Sequence, residues 1–372
     1  MKDLIREVKS KKDKRLMLNL PWEIYKDDRS WVPPLKLTVK EILDEKKHPF
    51  YKTSEVQSWL AVEGDRVLGR IMAIYNHAYN KFQDTNVGFF GFFECHNNQA
   101  VAFELFNEAE KWLRKKGAKK ILGPVNPSTN YETGLLIKGF EDPAQLMMTY
   151  NPKFYESLFE QYGFKKAKDL IAYRLDTDFQ MPEKIVRISE RAEKRHGISY
   201  RKINLKDWNN EINRMHDIYN SAWEKNWGFV PMSDEEFFHT AKDLKSIVDP
   251  NLIIFVEVKG ETAGFIVALP DFNQVFKNIP SGKLLPFGIF KLLRSKNYIN
   301  RCRVITLGVK EQYRNLGLGP ILYNRAHQKI IEAGYSEIEM SWILEDNLPM
   351  NKPLQLMGAD PYKTYRVFEK EL

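Results

Sequence analysis

The alternation of hydrophobic and polar positions in the first half of the chain predicts an ordered series of strands and helices. The predicted elements are a hairpin at 56–75, a strand at 87–94, an amphipathic helix at 100–116, a strand at 120–123, a helix at 152–162 and a strand at 170–175. The hairpin turns at Gly64 and Asp65. Before it, residues 16–31 predict a short helix that Pro33 and Pro34 end. The lysine-rich run that precedes this helix, to about Arg15, is typical of a solvated or frayed end.

The second half repeats this order after a charged helix predicted at 183–195. The predicted elements are a strand at 198–203, a helix at 208–223, a hairpin at 252–269, a strand at 304–309, a helix from Pro320 to about Gly334, a strand at 337–342, a helix at 347–357 and a strand at 364–368. A chain of 372 residues is too long for one ordinary core. The pattern therefore predicts two domains, 1–178 and 198–372, joined by a linker helix at 179–197.

The most informative stretch is the strand at 304–309 together with the loop and helix that follow it. The loop carries Arg314, Gly317 and Gly319, and glycines let a backbone approach a ligand closely. The N–H groups at the start of a helix lack intrahelical partners and favour negative charge. This stretch therefore predicts an anion site. Its glycine spacing differs from the dinucleotide fingerprint, and no Gly-Lys-Ser/Thr follows, so a Rossmann site or a P-loop is not indicated.

These residues resemble the pyrophosphate-binding motif of the GNAT superfamily of N-acetyltransferases, Gln/Arg-x-x-Gly-x-Gly/Ala between a strand and a long helix. The resemblance implies that acetyl-CoA, or another acyl-CoA, is a co-substrate and that no metal is needed. The implied pyrophosphate loop is Arg314, Asn315, Leu316, Gly317, Leu318 and Gly319, with Arg314 as a fixed cation. The implied backbone edge for the pantetheine arm is Leu307, Gly308 and Val309. Counting back from Gly358 places Asn347 at the usual asparagine of the family.

The same resemblance implies an α/β (α+β) fold of two tandem GNAT-like domains, each a mixed, mainly antiparallel sheet flanked by helices. Tandem-domain bacterial proteins of this superfamily are similar. The resemblance is specific for residues 198–372. Before that it rests on the order of elements alone, because no glycine stands between Glu94 and the helix at 100–116. The N-terminal copy is therefore expected to be degenerate for CoA binding.

The catalytic groups are less clear than the cofactor loop. Acyl transfer to an amine needs a base for the amine proton and often an acid for the leaving thiolate. The candidate bases are Glu257, Asp271 and Glu345. Glu257 lies on a strand, and the alternation of its side chains is equally consistent with a carboxylate that faces solvent. Leu354 stands where the family has its tyrosine acid, so Tyr323, Tyr362 and Tyr365 are the candidate replacements, each of which could equally be a packed aromatic. Glu257, Tyr323 and Glu345 are the residues that we single out.

Two stretches are candidates for acceptor binding. The aromatic loop at 223–232 contains Trp223 and Trp227, and plain packing is the alternative interpretation. The polar loop at 123–134 contains Asn126 and Asn130, and Asx turns beside proline are the alternative there.

Composition and charge exclude some classes of function. The chain has 57 Lys and Arg against 49 Asp and Glu, a net charge of +8 that suits a polyanionic ligand such as CoA. No apolar run reaches the roughly 20 residues that span a bilayer, and the N-terminus lacks a signal-like apolar region. We therefore expect a cytoplasmic protein without a membrane partner. Two distant cysteines, Cys95 and Cys302, predict neither a disulfide nor a metal framework.

The predicted activity is direct transfer of an acyl group, expected to be acetyl, from acyl-CoA to a primary amine of a small molecule or peptide. A Fem-like transferase that uses aminoacyl-tRNA is an alternative, which a basic insertion at 271–300 with Lys283, Lys291, Arg294 and Lys296 would serve. A non-catalytic CoA-binding protein is a second alternative. Other nucleic-acid partners are not expected, and a homodimer is left open.

Overall fold

The computed structural model describes residues 4–180, 182–295 and 298–372. Lys296, one of the basic residues named above, lies outside the described residues. The chain divides into two compact units. Unit 1 comprises Met1–Leu170, Phe276–Leu292 and Lys363–Leu372, and unit 2 comprises Ile171–Val275 and Leu293–Tyr362. The units are discontinuous in sequence, whereas the domains predicted at 1–178 and 198–372 are contiguous. The division falls inside two long strands and inside the insertion at 271–300.

The elements of the first half are β1 Ile5–Glu7, α1 Lys11–Ile24, α2 Lys36–Ile42, β2 Ser54–Glu63, β3 Arg66–Asn76, α3 His77–Gln83, β4 Val87–Cys95, α4 Gln99–Lys115, β5 Lys120–Gly123, β6 Val125–Asn126, β7 Glu132–Thr133, β8 Leu135–Lys138, α5 Tyr155–Tyr162 and β9 Lys165–Asp176. The elements of the second half are α6 Glu183–His196, β10 Ile198–Lys202, α7 Trp208–Trp223, α8 Asp234–Leu244, β11 Ile253–Val258, β12 Glu261–Pro270, α9 Asn273–Phe276, α10 Gly288–Leu293, β13 Arg301–Val309, α11 Leu318–Glu332, β14 Glu337–Leu344, α12 Leu348–Leu356 and β15 Asp360–Glu371.

The sheet of unit 1 has the strand order β1-β2-β3-β4-β5-β15, with β8 also paired to β15. Neighbouring strands are antiparallel except β4 and β5, which are parallel. One face is covered by α4 and α5, whose buried residues Leu105, Phe106 and Phe159 pack with Phe90 and Phe93 of β4. The aromatic core explains why the apolar positions of α4 recur at helical spacing.

The sheet of unit 2 has the strand order β9-β14-β13-β12-β11-β10. The strands from β10 to β13 are antiparallel to their neighbours, and β13 and β14 are parallel. Buried residues of α11, including Leu318, Ile321, Leu322 and Ile330, pack on one face against Val256, Ile266 and Met340. The order of strand, strand, strand, helix and strand thus occurs in both units, which confirms the predicted α/β fold with mainly antiparallel sheets.

Three local predictions differ from the structure. Helix α1 begins at Lys11 rather than near Leu16, because Ser10 and Asp13 form a capping box: Asp13 N donates to Ser10 Oγ at 3.0 Å and Ser10 N donates to Asp13 Oδ2 at 3.1 Å. Helix α8 was not predicted, although Ser233 caps it by accepting from Glu236 N. The insertion at 271–300 contains the short helices α9 and α10.

Among the described residues, no helix combines the length and the apolar character that crossing a membrane requires.

Candidate functional site

The parallel strands β13 and β14 of unit 2 separate part-way along their length. Their paired register runs over residues 301–304 of β13 and 337–340 of β14, with Val304 opposite Met340 as its last pair. Strand β13 nevertheless continues to Val309, which still pairs with Gly264 of β12. Within the described part of unit 2, residues 306–309 therefore pair with β12 alone. We call this separation the fork, and its free edge, which includes Leu307, Gly308 and Val309, can accept an extended ligand as an added strand.

The fork leads into the N-terminus of α11. After β13 a 3₁₀ turn at Glu311–Leu316 ends at Gly317, whose φ of +69° lies in the left-handed region that glycine tolerates. Gly317 is the N-cap of α11 and supplies no side-chain cap. Gly319 lies in the first helical turn rather than in the loop where the sequence placed it, because α11 begins at Leu318. The side chain of Leu318 is fully buried in the core, so only its backbone is available to a ligand.

This turn fits a pyrophosphate group. A Cβ added at Gly317 or Gly319 would meet no atom within 4 Å, so the space above the first turn of α11 is open. The N–H groups of that turn have no side-chain cap, and the helix dipole adds positive potential there. In the chain, the free edge of β13 comes before the first turn of α11, with the 3₁₀ turn at Glu311–Leu316 between them. The arrangement can therefore hold a ligand that has an extended arm and a polyanionic end.

The guanidinium of Arg314, predicted as a fixed cation of the pyrophosphate loop, is hydrogen-bonded to the end of α7. Its Nη2 donates to the carbonyl oxygens of Ala222 at 3.0 Å and Ser221 at 3.4 Å, in the last turn of α7. Those carbonyls lack intrahelical partners, so a cation there is favourable. Lys225 and Glu311 form a second link between the same two segments at 2.8 Å. Arg314 thus holds the cofactor loop against α7, and the neighbouring Asn315 is exposed.

Trp223, the last residue of α7, packs against the free edge of β13. A Cβ added at Gly308 would lie 2.8 Å from Cη2 of Trp223 and 3.0 Å from Cγ2 of Ile218. The Trp223 ring also lies 4.8 Å from that of Tyr219 and 6.4 Å from that of Phe265, centroid to centroid. Trp227 is half-buried in the loop that follows α7. The structure therefore places Trp223 beside the residues expected to bind pantetheine.

The contact between Gly308 and Trp223 gives a prediction. Gly308→Val is expected to displace the indole, lower stability by about 1–3 kcal/mol through overpacking, and weaken acyl-CoA binding. Thermal unfolding and calorimetric titration would measure both effects. The double variant Gly308→Val/Trp223→Leu removes the collision and should recover part of the lost stability. A single variant as stable as the wild type would contradict the packing described here.

A buried charged cluster closes the base of the fork. Arg303 of β13 and Glu339 of β14 are opposite one another in register, are both almost fully buried, and approach to 3.6 Å. Arg303 Nε donates to Ser341 Oγ at 2.8 Å and its Nη2 donates to the Ser341 carbonyl at 3.2 Å. Ser341 Oγ donates to Glu339 Oε1 at 2.6 Å, and the hydroxyl of Tyr362 donates to Oε2. Arg303 thereby donates a hydrogen bond to the Ser341 carbonyl of β14, one residue beyond Met340, the last residue of β14 that pairs with β13.

The predicted catalytic residues fall in two different places. Glu257 lies on β11, separated from β13 by β12, and its Oε1 accepts from Arg201 Nε at 2.6 Å. Glu345 and Asn347 follow β14, and their backbone oxygens accept hydrogen bonds from Asn351 at 3.2 Å and 2.9 Å. Tyr323 of α11 is buried with its hydroxyl 4.0 Å from the sulfur of Met350 in α12, and burial raises the pKa of this hydroxyl. The structure therefore groups Tyr323, Glu345 and Asn347 around α12 but leaves Glu257 two strands from the fork.

Unit 1 contains a corresponding separation of β4 and β5, and the chain itself fills it. The parallel pairing ends with Phe89 opposite Leu122. The backbone N–H of Phe92 then donates to Asn126 Oδ1 at 2.6 Å, and a Cβ on Gly91 would lie 1.6 Å from the Val125 carbonyl oxygen. Asn126 Nδ2 also donates to Glu132 at 3.3 Å, and in the same loop Asn130 N donates to Ser128 Oγ at 3.2 Å. Asn126, predicted as an acceptor-binding residue, occupies the edge of β4 instead.

Unit 1 also buries a carboxylate that the sequence did not reveal. The hydroxyls of Tyr25 and Tyr155 each donate to Glu94 Oε2 at 2.9 Å, and Arg70 lies 3.8 Å from Oε1. Burial raises the pKa of the Glu94 carboxyl, and the charge of Arg70 opposes that rise. The alternation of side chains along β4 predicts which face of the sheet Glu94 lies on. Its hydrogen-bond partners could not be predicted, because they come from segments that are distant in sequence.

Comparison with known proteins identifies the family to which the chain belongs. The sequence profile described as Acetyltransferase (GNAT) family matches residues 212–358, which include all of β13, α11 and β14 and therefore the whole fork. A protein of Caulobacter vibrioides named bacterial ceramide synthase is 35% identical over 98% of this chain and 96% of its own length. The chain belongs to the GNAT acetyltransferase family. Protein YghO of Escherichia coli is 34% identical over 99% of this chain and 95% of its own length, so both relatives match the chain across both units.

Solved GNAT structures match the fold of both halves. A tandem GNAT protein from the clavulanic acid biosynthesis pathway superposes with a TM-score of 0.59 over 99% of this chain and 98% of its own, at 12% identity. A GCN5-related N-acetyltransferase from Sphaerobacter thermophilus superposes with a TM-score of 0.56 over 99% of this chain and 96% of its own chain, also at 12% identity. The predicted tandem GNAT architecture is thus confirmed. Membership of the family supports acyl-CoA-dependent N-acyl transfer as the general class of reaction.

Proposed function

We propose that this protein transfers a fatty acyl group from acyl-CoA to the amine of a long-chain amino alcohol. The observation that carries the transfer reaction is the fork: a free edge on β13 followed by the uncapped first turn of α11 at Gly317. The acceptor class is supported by the relative named bacterial ceramide synthase, which matches 98% of this chain. A ceramide is an amide of a fatty acid and a long-chain 2-amino-1,3-diol.

The chain's own groups would position the two substrates. Backbone groups of Leu307, Gly308 and Val309 would pair with the extended arm of the acyl-CoA, and the N–H groups of residues 317–319 would bind its pyrophosphate. The acyl-CoA supplies the acyl group as an activated thioester. Trp223, packed on Gly308, keeps water from one side of that edge.

Two hydroxyl groups are suited to proton transfer. Tyr362 is half-buried and donates to Glu339, so it offers a path from the amine to the carboxylate cluster at the base of the fork. Tyr323 is protonated at neutral pH, and its hydroxyl lies 4.0 Å from the thioether sulfur of Met350. It is the proposed acid for the leaving thiolate in place of the tyrosine that Leu354 replaces. Glu257 is not proposed as the base, because Arg201 already neutralises it.

The test is an assay of amide formation with matched donors and acceptors. Purified protein would be incubated with acetyl-CoA or palmitoyl-CoA, and with either a long-chain 2-amino-1,3-diol or a short water-soluble polyamine. Mass spectrometry would detect the amide, and a thiol reagent would count released CoA. The expected result is one CoA released per N-acylated diol, with palmitoyl-CoA preferred.

The other outcomes decide between the remaining functions. Acetylation of the polyamine alone would replace the lipid acceptor by a small amine. Aminoacyl-tRNA would be supplied as a third donor, and transfer from it alone would favour the Fem-like reaction. Binding of acyl-CoA with no amide formed from any acceptor would favour a non-catalytic CoA-binding protein.

A further inference from the structure

A segment of unit 1 and the helix α10 that follows it present large apolar side chains to solvent. Leu285 is 74% exposed, Phe287 75%, Phe290 60%, and Leu293, the last residue of α10, 75%. We call these four residues the apolar tip. Single exposed apolar residues are common on proteins, but four within nine positions of the sequence are an unusual density, which is typical of a contact surface.

The chain just before the apolar tip is held by specific contacts within unit 1. Trp22 Nε1 donates to the Pro280 carbonyl at 2.8 Å, and the backbone N–H of Lys36 donates to the Gly282 carbonyl at 2.8 Å. A Cβ on Gly282 would lie 2.5 Å from the Trp22 ring, so only glycine allows this approach. Ile289 N donates to the Leu284 carbonyl at 2.7 Å and closes the turn that carries Leu285 and Phe287. The fold therefore holds these side chains outward.

The charged residues on the segment that carries the apolar tip have one sign. The sequence contains no aspartate or glutamate between Asp271 and Glu311. Lys277, Lys283 and Lys291 of unit 1 are exposed. Lys36 of α2 lies beside Lys283, because its backbone N–H donates to the Gly282 carbonyl. Burial first, and then the charges of Lys283 and Lys40, lower the pKa of Lys36. An apolar patch surrounded by lysines is complementary to a surface with anionic headgroups over an apolar interior.

We propose that the apolar tip docks this protein on the surface of an anionic lipid bilayer, with Leu285, Phe287, Phe290 and Leu293 below the headgroups and the surrounding lysines among them. A second copy of the chain is a poorer occupant, because a face-to-face contact would oppose lysines to lysines with no acidic residue in the segment to pair them. No membrane-spanning helix is needed for this docking, because an interfacial segment does not cross the bilayer.

This inference does not rest on the proposed function, because exposure and charge alone carry it. If both hold, docking concentrates the protein on the surface into which lipid amines and long-chain acyl-CoA partition. The expectation of no membrane partner rested on the lack of a spanning run and does not bear on surface contact.

The test is flotation of the purified full-length protein with vesicles. Vesicles of phosphatidylcholine with phosphatidylglycerol would be compared with vesicles of phosphatidylcholine alone. We expect the wild type to float with the anionic vesicles and to bind the neutral ones much more weakly. Phe287→Ser/Phe290→Ser should reduce the partition coefficient on anionic vesicles at least about tenfold, since each phenylalanine loses its burial in the lipid. Lys277→Gln/Lys283→Gln should reduce it about fivefold for each lysine removed.

The matched control is Leu205→Ser/Ile331→Ser, which removes two exposed apolar residues from other elements and should leave flotation unchanged. All substituted side chains are exposed, so melting temperatures should match the wild type. Three outcomes would overturn the inference: no flotation of the wild type, equal flotation of the Phe287→Ser/Phe290→Ser variant, or a dimer by light scattering that this variant converts to monomer. A protein that floats but forms no amide would refute the proposed function alone.

Discussion

Gly319→Trp is expected to weaken acyl-CoA binding at least about a hundredfold, equivalent to roughly 3 kcal/mol, while leaving the fold intact. Gly319 lies in the first turn of α11 and is not among the residues with positive φ, so a side chain there causes no backbone strain. No atom lies within 4 Å of an added Cβ, so the indole would fill the open space above the helix N-terminus without displacing the core. That space is where a pyrophosphate must sit to contact the N–H groups.

A substitution at Gly319 tests cofactor binding more cleanly than a substitution at Gly317. A side chain at Gly317, with φ of +69°, costs roughly 1–2 kcal/mol in the left-handed region and would mix loss of stability with loss of binding. Calorimetric titration with acetyl-CoA, together with a melting curve, measures the two effects separately. Glu332→Trp places the same side chain at the exposed far end of α11 and should bind like the wild type. Unchanged affinity in Gly319→Trp would show that the cofactor binds elsewhere.

Arg303→Met is expected to lower the free energy of unfolding by about 3–5 kcal/mol. The substitution leaves Glu339, which is fully buried, without its cation, and it removes the donors to Ser341 Oγ and the Ser341 carbonyl. A buried charge that loses its partner is not compensated by water, because the cluster at the base of the fork is shielded from solvent. Urea unfolding followed by circular dichroism would measure the loss.

Two further variants test whether the loss of stability comes from the unpaired buried charge of Glu339. Arg187→Met breaks the exposed pair with Glu183 on α6 and should cost less than about 1 kcal/mol. Arg303→Met/Glu339→Leu removes both buried charges and should be more stable than Arg303→Met alone. A single variant within 1 kcal/mol of the wild type would mean that Glu339 takes up a proton or finds another partner when Arg303 is lost.

The strand, glycine loop and helix at 304–334 could be predicted from sequence because each part has a local signature. β-branched residues form the strand, Gly317 permits a left-handed turn, and apolar residues at helical spacing form α11. The hairpins and the helices at 100–116 and 208–223 were predicted for the same reason. Their boundaries agree with the structure to within two or three residues.

Contacts between distant segments could not be predicted in this way. The side chain of Arg314 was expected to face a ligand, but the unsatisfied carbonyls of α7, some ninety positions earlier, bind it. Glu339 and Tyr362 belong to different elements, and only the fold brings them together. Asn126 was interpreted as a binding residue because its loop is polar, but its partner is a backbone group of β4. In each case the residue type indicated a polar contact and the three-dimensional structure determined the partner.

The loop that fills the separation of β4 and β5 also limits how many cofactor molecules one chain can hold. Asn126 is part of the same chain as Phe92, so it competes for the β4 edge as a tethered ligand, and for short tethers the effective concentration is of millimolar order. A free acyl-CoA would have to outcompete this tethered group and also displace the Val125 carbonyl from Gly91. The β4 edge of unit 1 is thus already occupied by its own chain, whereas residues 306–309 of unit 2 pair with β12 alone among the described residues, so we expect one acyl-CoA to bind per chain.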